Sequence, residues 1–91
     1  MAIAFLMEFP DVTLAQYDAV VAETNPGGKV APGGLFHVVG PHDGGLRIVD
    51  VWESQEAFDT FLRERLQAAL LKHGVAPPKV EPWSVYNMMK I

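Results

Sequence analysis

The chain contains no cysteine. A disulfide framework and a thiolate metal site are therefore excluded, and the redox compartment is left open. No apolar run is long enough to cross a membrane, so a membrane is not an expected partner. No basic leader precedes an apolar segment at the start, which makes the cytoplasm the expected location. Positive charge is scarce: 7 Lys and Arg stand against 11 Asp and Glu, a formal net charge of -4. There is no basic stripe to neutralise phosphates, so nucleic acid is not an expected partner either. The 3 histidines are scattered, none four residues from another on a helix, and no metal site is expected. Glycine pairs occur, but no glycine-rich turn joins a strand to a helix ahead of a Lys-Ser/Thr, so no phosphate-binding loop is present. Internal repeats, low-complexity tracts and interdomain linkers are also missing.

What is there is apolar. In a chain of 91 residues, 49% are hydrophobic, which fits one domain over residues 1–91 with more apolar surface than so small a unit easily buries. The stretch from Gly44 to Leu71 organises it. Leu46 to Trp52 is rich in β-branched and large apolar residues and reads as a strand. Ser54 then offers a helix cap, with Glu56 in the first turn. Phe58, Phe61, Leu62, Leu66, Ala69 and Leu70 recur at steps of three and four and form one apolar stripe. Asp59 and Arg63 are spaced as a helix-supporting pair. Lys72, His73 and Gly74 suit the helix end, and Pro77-Pro78 stops it.

The remaining elements follow in order. Ala2 to Phe9 reads as a strand. Thr13 and Gln16 have the capping-box spacing, so a helix starts at Leu14, with Leu14, Tyr17, Val21 and Thr24 inward. Asn25 to Gly34, rich in glycine and proline, is a loop. Leu35 to Val39 is a strand, Asp43-Gly44 a hairpin turn, and Val80 to Ile91 a last extended segment. The order strand, helix, strand, strand, helix, strand predicts an α+β, ferredoxin-like βαββαβ fold. Its four-stranded antiparallel sheet carries both helices on one face, with the first and third strands central. The strands are apolar on both faces: Ile3, Phe5 and Met7 against Ala4 and Leu6, Ile48 and Trp52 against Val49 and Val51. Two helices cover one face. A second copy of the sheet is the simplest cover for the other, and a self-associated homodimer is expected; the alternative is an open face with scattered apolar residues.

If Asp43-Gly44 is a two-residue turn, His37 lies opposite Asp50 and Leu35 opposite Trp52. His37 and Asp50 are then candidate catalytic residues, since an imidazole beside a carboxylate has a fixed tautomer and can act as a base. Tyr17, Trp52, Leu35 and Phe58 are candidates for the wall of a substrate pocket that takes a small aromatic or apolar ligand. The same residues are equally compatible with a satisfied polar pair inside an ordinary core. His42 should be solvated in its turn, His73 a helix-end charge, and Arg47 on the face away from His37.

The run Val51-Trp52-Glu53-Ser54-Gln55-Glu56-Ala57-Phe58 resembles the WES-x-EAF segment of the dimeric α+β barrel superfamily, in particular its antibiotic-biosynthesis-monooxygenase-like branch. Tyr17-Asp18-Ala19-Val20 and Pro32-Gly33-Gly34-Leu35-Phe36-His37 resemble small members of that group. The resemblance implies a homodimer of face-to-face sheets, with a pocket between each sheet and its helices. It implies cofactor-independent oxidation of an aromatic or enolic substrate, or haem degradation. Haem-degrading members use a first-strand Asn, the Trp at this position and a His on the second helix. Only Trp52 matches; Phe5 takes the first position, and Arg63-Glu64-Arg65 occupy the helix. The expected function is thus a small-molecule-binding homodimer, monooxygenase-like and without a cofactor. A non-catalytic binding or structural dimer is the alternative, and an isomerase the third. Sedimentation at micromolar concentration is expected to give twice the chain mass; a chain that sediments alone would remove the dimer.

Overall fold

The computed structural model describes all residues, 1–91. Its strands are β1 (Ile3–Phe9), β2 (Gly34–His42), β3 (Gly45–Trp52) and β4 (Lys79–Ser84). Helix α1 (Leu14–Thr24) links β1 to β2. Helix α2 (Gln55–Phe61) runs through a π-helical turn (Leu62–Leu66) into α3 (Gln67–Lys72), so the second helix is one rod with a widened middle. The sheet is four-stranded and antiparallel in the order β2-β3-β1-β4, with β1 and β3 central as the strand order predicts.

Local chemistry sets these boundaries. Thr13 and Gln16 close a reciprocal capping box, the Gln16 N–H donating to Thr13 Oγ1 at 3.1 Å and the Thr13 N–H to Gln16 Oε1 at 3.0 Å. Ser54 Oγ accepts from the Ala57 N–H at 3.0 Å and opens α2. Beyond α3, the Val75 N–H reaches the Leu70 carbonyl at 2.9 Å and the Gly74 N–H the Leu71 carbonyl at 3.3 Å, the paired bonds of a helix closed by a left-handed residue. Lys72 and His73 meet Glu23 at 2.7 and 3.0 Å, tying the ends of the two helical rods together. Those partners, Lys72 first, hold the Glu23 carboxyl below its ordinary pKa. Asp43 and Gly44 both have positive φ, 48° and 77°, as the two-residue hairpin turn requires.

Several expectations need correction. Asp59 accepts from Gln55 at 2.9 Å instead of pairing with Arg63, because the π-helical turn breaks the regular four-residue spacing just there. In α1, Val20 is buried and Leu14, in the first turn, is exposed. The last strand ends at Ser84, not Ile91: Ser84 pairs with Ile3, where β1 begins, and no strand remains to extend the ladder. Tyr86, Met88, Met89 and Ile91 are exposed. Both edge strands carry a proline, Pro41 in β2 and Pro82 in β4, where a missing N–H is tolerated.

The core lies between the helices and the sheet face of Phe5, Met7, Ile48 and Trp52. The opposite face has no helix over it. It carries Ala4, Leu6, Val49, Val51, Phe36, Val38 and Trp83, and the last three are 54%, 51% and 48% exposed. Arg47 lies on this face, paired to Glu8 at 2.9 Å. At the hairpin base a Cβ on Gly45 would stand 2.0 Å from the Phe9 carbonyl oxygen, whereas one on Gly40 would meet nothing within 4 Å. Gly45→Ala is therefore expected to destabilise on the order of 3 kcal/mol or more by forcing backbone apart. Gly40→Ala should stay within about 0.5 kcal/mol. Urea unfolding of the two variants checks this, and equal midpoints would refute it.

Candidate active site

Asp50 and Trp52 are two residues apart on β3, so their side chains share the helix-facing side of the sheet. The hairpin places His37 of β2 opposite Asp50, as the turn predicts. Further along, the predicted pairing fails: Gly34 stands opposite Trp52, and an irregularity between Gly34 and Phe36 leaves Leu35 as the extra residue. Leu35 is thus not paired with Trp52, although it does reach the cavity wall described below.

Four side chains form a continuous hydrogen-bonded chain. The Trp52 indole N–H donates to Asp50 Oδ2 at 3.2 Å. Asp50 Oδ1 lies 2.5 Å from His37 Nδ1, and His37 Nε2 lies 2.6 Å from the Tyr17 hydroxyl. The Tyr17 and His37 rings are nearly parallel, 9° apart in plane. Asp50 is buried, while the His37 side chain is 45% exposed at the edge of the sheet. Burial, reinforced by the charges of Asp50 and Asp18, raises the Tyr17 pKa above its ordinary value, so at neutral pH this residue is a phenol.

This chain borders a cavity of about 450 Å³ between the sheet and the helices. Its walls are mostly apolar: Met7, Phe9 and Ile48 from the sheet, Val20 and Val21 from α1, Phe61 and Leu66 from the second rod. Tyr17, His37, Asp50, Trp52 and Leu35 all line it. Phe58 does not. It sits behind the wall, stacked on Phe5 at 4.1 Å and edge-on to Trp52 at 5.7 Å, and so holds Trp52 in place. Phe5 itself is 1% exposed and belongs to the core. The loop after α1 supplies Asn25, Gly28, Val30 and Ala31 to the wall, which the sequence did not assign to the site. Its glycine and proline content marked an irregular shape but not the direction in which Val30 and Ala31 turn. A second hollow beside Glu53, Glu56, Glu64 and Arg65 is polar. No group of three or more His, Asp or Glu side chains is arranged to hold a metal. His42 and His73 stand outside the cavity lining, and no helix is long and apolar enough to cross a membrane.

Solved structures share this architecture over their full length. A protein from Chloroflexus aurantiacus assigned to the antibiotic biosynthesis monooxygenases is 21% identical, with a TM-score of 0.70 and coverage of 100% of this chain and 99% of that one. SnoaB, a cofactor-independent oxygenase from Streptomyces nogalater, is 17% identical, with a TM-score of 0.67 and coverage of 97% and 96%. A protein from Mycobacterium tuberculosis is 15% identical, with a TM-score of 0.75 and coverage of 99% and 100%. The chain has the ferredoxin-like α+β fold of these structures. No family model matches the sequence, and no curated protein does. At these identities the likeness concerns the fold alone, and chemistry resides in the side chains.

Asp50→Ala leaves the Trp52 indole N–H and the His37 ring without their acceptor, at an expected cost of about 1–3 kcal/mol. Urea denaturation measures this; an unchanged midpoint would mean that the network does not hold the site together.

Proposed function

We propose that the protein is a homodimeric, small-molecule-binding oxygenase-like enzyme that acts on an aromatic or enolic substrate without a cofactor. The observation that carries this reading is the apolar cavity ending in the Tyr17–His37–Asp50–Trp52 chain. An apolar cavity with a few convergent polar groups is the usual form of a small-ligand site. The SnoaB likeness supports an oxygenase reading over an unspecified binder. The face carrying Phe36, Val38 and Trp83 is the surface a second copy would cover.

The chemistry needs one base and a reactive substrate. His37, with Asp50 at its far nitrogen, is the proton acceptor: the carboxylate fixes the tautomer and stabilises the imidazolium that forms. For a phenol or enol whose conjugated carbon carries a hydrogen, loss of the hydroxyl proton gives an electron-rich anion. Molecular oxygen adds at that carbon. The O–O bond then breaks; one oxygen remains as a carbonyl, and the other leaves as water with the hydroxyl proton and the carbon's hydrogen. The substrate supplies all the electrons that reduce oxygen. Trp52, Leu35 and the cavity walls hold the ring system and keep water away from the anion.

A screen of aromatic hydroxy compounds under air, read by oxygen uptake, tests the proposal. His37→Ala is expected to slow uptake roughly a hundred- to ten-thousand-fold, the usual contribution of a general base, with the dimer intact. Binding without uptake would favour the non-catalytic reading. Product formed without oxygen consumption would favour an isomerase.

A further inference from the structure

Neither ring nitrogen of His37 is free. Asp50 is a carboxylate and can only accept, so Nδ1, 2.5 Å from it, carries the ring proton. In the neutral imidazole Nε2 is then an acceptor, and the Tyr17 hydroxyl 2.6 Å away must donate to it. The acceptor side of the Tyr17 oxygen is what the network leaves unused. The other polar side chains at the cavity already hold protein partners: Gln16 the His73 carbonyl, Thr24 the Val20 carbonyl and Asn25 the Lys29 carbonyl. No Lys or Arg lines the cavity, and its one carboxylate is Asp50.

We propose that Tyr17, not His37, is the residue that meets the ligand, its phenol oxygen accepting the hydroxyl proton of an uncharged, largely apolar molecule while its own proton passes to His37 Nε2. This deepens the oxygenase-like reading above and rests on it. The transfer balances. The ligand O–H bond breaks as a new Tyr17 O–H bond forms; the original Tyr17 O–H bond breaks as His37 Nε2–H forms. Tyr17 ends unchanged, the ligand is an oxyanion, and His37 is an imidazolium beside the Asp50 carboxylate. Tyr17 is thus the catalytic residue in contact with substrate, and His37 and Asp50 act through it. An anionic ligand would lose its hydration, gain no cation and face Asp50. A ligand that can only accept gains nothing from an oxygen whose proton is committed to His37.

Four naphthalenes of similar size separate these cases in equilibrium titrations: 2-methylnaphthalene, 2-methoxynaphthalene, 2-naphthol and 2-naphthoate. The neutral three are expected to bind, 2-naphthol about fivefold more tightly than 2-methoxynaphthalene, the worth of one ordinary hydrogen bond, with 2-naphthoate weakest. Tyr17→Phe should erase the 2-naphthol advantage and leave 2-methylnaphthalene unchanged, which also reports an intact cavity. His37→Ala frees the Tyr17 O–H to turn to the cavity, so 2-methoxynaphthalene should then bind as tightly as 2-naphthol; removing a merely structural histidine would leave the 2-naphthol preference in place. Equal affinity for 2-naphthol and 2-methoxynaphthalene in the unaltered protein, or a 2-naphthol advantage retained by Tyr17→Phe, overturns the relay while the cavity reading stands. Failure of all three neutral probes to bind overturns both.

Discussion

A buried carboxylate governs this molecule. Asp50 sits in an otherwise apolar sheet face, at 6% exposure. A charge there is tolerable only when hydrogen bonds replace its lost water. Both of its oxygens have a donor, the Trp52 indole on one and the His37 ring on the other. Each donor is then fixed in orientation. Trp52 lies against Phe58 and Phe61, and the His37 ring presents its second nitrogen to α1, where Tyr17 meets it. One desolvated group therefore connects the central strand, the edge strand and a helix. The same charge contributes to the raised Tyr17 pKa, second to burial.

The cavity beside this network follows from how the layers are built. Two helical rods cover one sheet face, and the loop after α1 closes the space with Val30 and Ala31. The second rod is anchored at its start by Ser54 and at its end by the bonds around Gly74. Its tie to α1 through Glu23 depends on pH. The Glu23 pKa is lowered in the folded chain, so its contribution is present above the ordinary glutamate range and is lost as pH falls through the lower folded value.

Much of this was legible because the signals were local. Thr13–Gln16 and Ser54 declare their helix starts through side-chain bonds spanning three residues. Asp43-Gly44 fixes the hairpin, and with it the pairing of His37 and Asp50. What stayed hidden depends on distant partners. The irregularity at Leu35 arises where β2 meets the end of β3 and has no local turn residue to announce it beyond the neighbouring glycines. Phe58 shares a helical stripe with Phe61, but only the placement of Phe5 decides which ring lines the cavity and which backs it. The π-helical turn, and the loss of the Asp59–Arg63 pair with it, carries no local mark. The tail beyond Ser84 is as apolar as a strand, yet β1 offers it no further partner.

The two edge prolines have a consequence for how such a greasy sheet stays tractable. Open strand margins are templates on which further chains can stack into ribbons. Pro41 and Pro82 each delete a donor from one margin, so both sides of the sheet resist lengthwise polymerisation. The proposed pairing of two copies is thereby directed away from endless growth and toward the broad flat surface, where one mate is enough to finish the contact.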